Sequence, residues 1–223
     1  MDQKVAQFWA QAQSHEAARD KQAAKAAYEE VVKLDPSRTA AWLRLSAFAT
    51  GEDRYRSARL QALNAAKAVS EGSDWKHLPF VTMRLLSFDE RNTIRDLIVK
   101  ADWSHRDVIA QSAVLSQHLW LINEYEAALR LIDEAHRHVR AHPLLSYSRA
   151  NALRYCGRME EATAEYERCI ALAPDYAYAH WSLAYHQKAD PLGSRIDRLR
   201  RAKASTARKI GRASCRERVC NDV

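Results

Sequence analysis

Residues 143–176 read PLLSYSRANALRYCGRMEEATAEYERCIALAPDY. Two helical patterns lie either side of a turn at Gly157. The second pattern carries Ala162, Tyr166, Cys169, Ile170 and Leu172 and stops at Pro174. Proline lacks an amide donor, so it ends one unit before the next begins. The same order of small, aromatic and apolar residues recurs near the N-terminus as Ala24, Tyr28, Val31, Leu34, Asp35 and Pro36.

Stepping on from Pro36, the stretch TAAWLRLSAFATGEDRYRSARLQALNAA places Trp42, Leu45, Ser46, Tyr55, Ala58 and Ala65 in register. Units then start near residues 5, 39, 73, 109, 143 and 177. The unit from 109 shows through Tyr125, Ala128 and Ala135. The unit from 73, SDWKHLPFVTMRLLSFDERNTIRDLIVKADW, keeps helical periodicity but loses the small residues and the exit proline. The last unit breaks at Asp190-Pro191-Leu192-Gly193.

A period of about 34 residues with this residue order resembles the tetratricopeptide repeat (TPR) family over residues 5–189. The resemblance implies an all-α fold, a TPR helical-hairpin solenoid. Its expected form is a right-handed superhelix of about five hairpins plus a partial sixth. Small residues such as Ala150, Ala162 and Ala184 let paired helices approach. Trp42, Tyr28 and Tyr166 fill the space between hairpins. One hairpin has too little apolar area to fold alone, so stacking supplies the core.

Composition agrees with a helical, water-soluble chain. Of 223 residues, 47% are apolar and 28% charged, with only five glycines and five prolines. No apolar run is long enough to span a bilayer, and the first twenty residues lack the apolar core of a signal peptide. A cytoplasmic location and no membrane partner are expected. The net charge of +7 is uneven. Seven Lys or Arg residues against one acid, Asp197, lie between Arg195 and Lys209. Residues 194–208 read as a basic amphipathic helix or linker following a TPR array at 1–193. Packing of its apolar stripe is preferred to nucleic-acid contact, so no nucleic acid is expected as partner.

Catalytic and metal motifs are absent from the sequence. The glycines are isolated, so no phosphate-cradling loop is present. His136 and His138 are two apart on a helix and point to different faces. Cys169 takes a small-residue slot and reads as a packed thiol. Ser46 and Ser182 also sit in packing slots, with no base implied beside them. No catalytic, cofactor-binding or metal residues are therefore assigned.

The functional surface implied by the TPR resemblance is the concave groove lined by first helices. By register Arg44, Gln117, Tyr147, Asn151 and Arg154 face it, with Tyr178, Trp181 and Tyr185 at its C-terminal end. Such a groove suits a protein or peptide partner. The Lys and Asn pattern that clamps a partner's terminal carboxylate in some TPR domains is not reproduced, which disfavours chaperone tails.

Two further resemblances concern the C-terminal region. Ala179, His180, Trp181, Ser182 and Leu183, followed by Asp197, Arg198, Leu199 and Arg200, are similar to a segment of bacterial TPR-containing sulfotransferases. That family carries a following catalytic domain that uses PAPS as co-substrate. The resemblance implies the N-terminal part of such an enzyme, with no cofactor held by these residues. A free-standing TPR scaffold without enzymatic activity is the alternative. Residues 210–219, IGRASCRERV, are similar to a translated sequencing-library adapter. Residues 209–223 are accordingly expected to be a non-native artefact tail, with the native chain continuing past Arg208.

Overall fold

A computed structural model of the chain describes residues 2–49, 53–139 and 141–186, together with Asp197, Arg200, Lys203 and Ala204. The break at 190–193, the rest of the 194–208 segment and the 209–223 tail lie outside the described residues. Among those described, every regular element is helical. The helices are α1 (Asp2–Ala17), α2 (Lys21–Leu34), α3 (Thr39–Phe48), α4 (Arg54–Gly72), α5 (Leu78–Leu86) and α6 (Arg91–Lys100). They continue as α7 (Arg106–Leu121), α8 (Tyr125–His138), α9 (Pro143–Tyr155), α10 (Met159–Leu172) and α11 (Ala177–His186). A 3₁₀ turn, Trp75–His77, precedes α5. Two compact units form, Met1–Glu134 and Ala135–Val223.

Successive helices pack as hairpins. In the first unit α1 pairs with α2, α3 with α4 and α5 with α6, while α2 stacks on α3 and α4 on α5. In the second unit α9 pairs with α10, which stacks on α11.

The small residues explain the close approach. In first helices Ala12, Ser46, Ser116 and Ala150 are all buried, at 34-residue steps within each run. In second helices Ala24, Ala58, Ala128 and Ala162 play the same part. Ala162 is 1% exposed, so Ala162→Trp overpacks the seam of α10 and is expected to cost about 1–3 kcal/mol. Urea unfolding followed by near-UV circular dichroism measures it, and a change near zero contradicts this register.

The third hairpin corrects the sequence reading. Thr82, 36 residues after Ser46 and 34 before Ser116, fills the small-residue slot and is fully buried. Its unit therefore begins near 75 and not 73, and the first-helix slot is not lost. The two additional residues fall in the region of α4, 19 residues long against 14 for α2, α8 and α10, and the 3₁₀ turn. In the second helix of this hairpin the slot is indeed lost, because fully buried Ile94 stands where the others have alanine.

Thr82 also makes a buried polar link. Its hydroxyl lies 3.0 Å from the Leu78 carbonyl and 2.8 Å from His118 Nδ1 on α7. Burial holds the His118 imidazole below its ordinary value of 6.5. The unfolded chain then binds a proton that the folded unit does not. Stability is full above about pH 6.5 and falls as pH drops toward the lowered folded value, by at most about 1.4 kcal/mol per pH unit. His118→Gln is expected to flatten this dependence in urea melts between pH 7 and 5.

Four of the hairpin turns share one backbone state, whereas Asp53 in the α3–α4 turn has φ −87°. Arg19, Asp89, Asn123 and Gly157 occupy the same repeat position and have φ of 62°, 56°, 70° and 78°. The left-handed region is easy for glycine and tolerable for asparagine and aspartate. Only Gly157 announces this turn by composition.

Candidate partner-binding faces

In the first unit, α3 and α5 enclose a cleft of about 580 Å³. Ala40, Leu43, Arg44 and Ala47 line it from α3. His77, Phe80, Met83, Arg84 and Ser87 line it from the α5 side. The cleft follows both helices from first turn to last. Phe80 and Met83 are 60% and 56% exposed, large apolar side chains left uncovered by the fold.

The charges around the cleft are unequally satisfied. Arg44 Nη1 pairs with Glu16 Oε1 at 3.1 Å, and Glu16 Oε2 accepts the Tyr28 hydroxyl at 2.8 Å. Burial first, then the bond to Glu16, pushes Tyr28 up to about 12. His77 Nδ1 lies 2.7 Å from Asp74 Oδ2. Arg84 differs: its Nε donates to Ser46 Oγ at 2.8 Å and its Nη2 to the Ser46 carbonyl at 2.7 Å. Ser46 Oγ in turn donates to the Ala58 carbonyl at 2.7 Å. The Arg84 guanidinium also stands 5.0 Å over the Phe88 ring. A second cleft, of about 370 Å³, lies between α4 and α6, where Lys100 meets Asp96 and Lys67 meets Glu71, each at 3.8 Å.

The second unit carries aromatic rings. Tyr147 on α9 is 5.2 Å from Tyr176 and 6.4 Å from Tyr178, centroid to centroid. Trp181 and Tyr185, one turn apart on α11, stack at 5.3 Å with an interplanar angle of 16°. Tyr178, Trp181 and Tyr185 are 67%, 60% and 70% exposed. Beneath them the Tyr166 hydroxyl donates to Asn151 Oδ1 at 2.6 Å and is also bonded by Ser182. Burial pushes Tyr166 up to about 12, so this donor stays protonated. His180 Nε2 reaches the Pro174 carbonyl at 2.8 Å, at the position where Trp42 Nε1 donates to the Pro36 carbonyl at 2.8 Å. A proline exit carbonyl thus anchors the next helix in both units. Cys169 is fully buried, and burial, then Glu165, pushes its thiol up to about 11. A thiol held protonated in this way is a poor nucleophile.

The sequence-selected residues have different surroundings. Arg44 lines the cleft, while Gln117 is exposed on α7 of the same unit and does not line it. Tyr147 and Tyr178 meet, and Trp181 meets Tyr185. Asn151 is turned to Tyr166, and the Arg154 guanidinium stands 4.5 Å over the Tyr155 ring. Leu43, Phe80, Met83 and Arg84 also line the cleft but are not among the residues that the register assigns to the groove. Counting the third unit from 75 places Phe80 at the repeat position of Arg44 and Met83 at that of Gln117.

Comparison with known proteins agrees with this architecture. A tetratricopeptide-repeat family model matches residues 8–38 and a TPR repeat model matches residues 150–188. No curated protein matches the chain. The C-terminal part of a TPR repeat-containing protein from Cytophaga hutchinsonii superposes with a TM-score of 0.55 at 10% identity, covering 87% of this chain and 79% of that one. YrrB, described as a TPR protein with an unusual peptide-binding site, gives 0.52 at 14% identity, covering 77% and 87%. A double mutant of MamA from RS-1 gives 0.51 at 11% identity, covering 91% and 96%. At these identities the likeness is one of fold. Residues 8–38 and 150–188 are tetratricopeptide repeats, and the described helices have the fold of a tetratricopeptide-repeat helical-hairpin array.

Proposed function

We propose that this chain is a protein–protein interaction module whose first-helix faces hold a segment of a partner protein. The observation that carries the reading is the exposure of large apolar side chains at first-helix positions in both units. Phe80 and Met83 stand out in one, and Tyr178, Trp181 and Tyr185 in the other. These positions are distinct from the small-residue seams, so hairpin packing leaves them uncovered. The peptide-binding site named for the structural neighbour YrrB makes peptide recognition on this fold reasonable. Among the described residues no helix is long and apolar enough to cross a membrane.

The test is an amide NMR titration of the full chain with a pool of capped random decapeptides. Shifts are expected on α3, α5, α9 and α11 residues that face these sites. Shifts confined to second helices overturn the reading. A sulfotransferase parent remains a finer proposal, supported by the resemblance over residues 179–183 and 197–200. Sequencing the source gene past codon 208 separates it from a free-standing scaffold: a phosphate-binding turn and an α/β domain favour the enzyme, further repeats the scaffold.

A further inference from the structure

We infer that the α3–α5 cleft of the first unit recognises an internal acidic side chain of a partner segment, flanked by apolar residues, with Arg84 as the receptor for the carboxylate. This rests on the protein-binding reading above and names the chemistry of one site within it.

Three observations carry it. The first is charge. Arg44, His77 and Arg84 line the cleft and no acidic residue does. Arg44 and His77 already have carboxylate partners in Glu16 and Asp74. Among the described residues no carboxylate pairs with Arg84, whose hydrogen-bond partners are the hydroxyl and carbonyl oxygens of Ser46. A half-buried guanidinium held only by neutral groups is an electrostatic site for an anion.

The second is preorganisation. Two of the five N–H donors of Arg84 are fixed on Ser46, and Ser46 is itself fixed on α4 through the Ala58 carbonyl. The cation–π contact with the Phe88 ring restrains the guanidinium further. The remaining donors are therefore presented with little conformational entropy left to lose on binding.

The third is shape. Beside Arg84 the cleft wall is apolar, with Leu43, Phe80 and Met83. Its lining runs from Ala40 to Ala47 along α3, about 10 Å at 1.5 Å per residue, which spans about three residues of extended chain. Lining at both ends of α3 and α5 leaves room for the segment to continue either way. That geometry fits a carboxylate within a chain and does not require a chain end.

The experiment uses the full protein with methionine methyl groups labelled with ¹³C. The chain has three methionines, so the Met83 signal is assignable from Met83→Leu. The probe is a pool of capped, glycine-flanked pentapeptides drawn from Leu, Ile, Phe, Asp and Glu. A twin pool carries Asn and Gln in place of the acids. A third pool is the neutral twin with a free C-terminal carboxylate. The acidic pool is expected to shift the Met83 methyl with at least about tenfold higher affinity than the neutral twin, an advantage that shrinks with added salt. Arg84→Gln is expected to abolish that advantage. Because the comparison between pools needs no change to the protein, it stands even where the variant unfolds. Equal affinity of the acidic and neutral pools at Met83 overturns the inference while leaving the protein-binding reading in place. Preference for the free-carboxylate pool also overturns it, in favour of a chain-end ligand. Absence of shifts at any first-helix position removes the wider reading with it.

Discussion

Tyr28→Ala is expected to remove about 3–5 kcal/mol from the first unit, with the loss concentrated in α1 and α2. Tyr28 is 1% exposed and belongs to the core formed with Val5, Ala24, Val31 and Leu45. Its ring meets Trp9 edge-on at 5.3 Å and Phe48 at 6.1 Å. Trp9 lies in α1 and Phe48 in α3, so one ring joins its own hairpin to the next. In a repeat array, stability is close to a sum of hairpin and nearest-neighbour terms. Deleting this ring weakens one of each. Hydrogen exchange followed by mass spectrometry should therefore show α1 and α2 opening while α5 to α7 stay protected. Tyr28→Phe keeps the packing and removes only the bond to Glu16. It is expected to cost about 0.5–1.5 kcal/mol, because Glu16 still has Arg44. Equal losses for the two variants would mean that the hydroxyl, not the ring, holds the hairpins together.

The same position shows what the sequence makes legible. Tyr28 and Tyr166 announce it by their aromatic rings. Its other occupants, Ala62, Ile98 and Ile132, are each fully buried but chemically ordinary. A fixed interval recovers them once one good unit anchors it. The interval fails where the backbone gains residues, and nothing in residues 54–77 marks where the two additional ones fall. A long, alanine-rich α4 absorbs them: it has no proline, and its one glycine, Gly72, is its last residue. With the third unit begun at 73, Phe80 and Met83 fall off the repeat positions of Arg44 and Gln117, and their exposure is not legible.

Polar partners were less legible still. Arg44 is readable as a first-helix surface residue, but its pairing with Glu16 joins α3 to α1 and depends on how hairpins stack. Asn151 illustrates the opposite case. Its repeat position is that of exposed Gln117 and Tyr185, yet its side chain accepts the Tyr166 hydroxyl. Tyr166 is 2% exposed, and burying a tyrosine hydroxyl without a partner costs more than the free side chain gains in solvent. The hydroxyl therefore recruits Asn151 on α9, beside its bond with Ser182 on α11. Position sets where a side chain starts, and the buried groups nearby decide what it is used for.

Replacing both Trp181 and Tyr185 with alanine is expected to reduce peptide affinity of the second unit by about a hundredfold or more, with little change in stability. The stability part follows from exposure: at 60% and 70% exposed, both rings lie outside the core, and surface replacements usually change stability within about 0.5 kcal/mol. The affinity part follows from what the rings offer. Tryptophan and tyrosine are the side chains most often found to cost 2 kcal/mol or more when truncated at an interface, and about 3 kcal/mol for the pair corresponds to over a hundredfold. Their stack at 16° fixes two large faces as one platform. That platform stands on a rigid base, since Tyr166 ties Asn151 on α9 and Ser182 on α11 to α10. Little motion is left to freeze when a partner docks, which favours tight binding per unit of area. The measurement is a titration of the wild type and the double variant with peptides selected from the capped decapeptide pool by their shifts on α11, alongside urea melts of each protein. Unchanged affinity with an intact fold would show that peptides reach this unit elsewhere, at Tyr147 and Tyr178 if anywhere on the same face. A parallel fall in stability and affinity would instead place the two rings in the packing of the unit, and their exposure would no longer support a docking role.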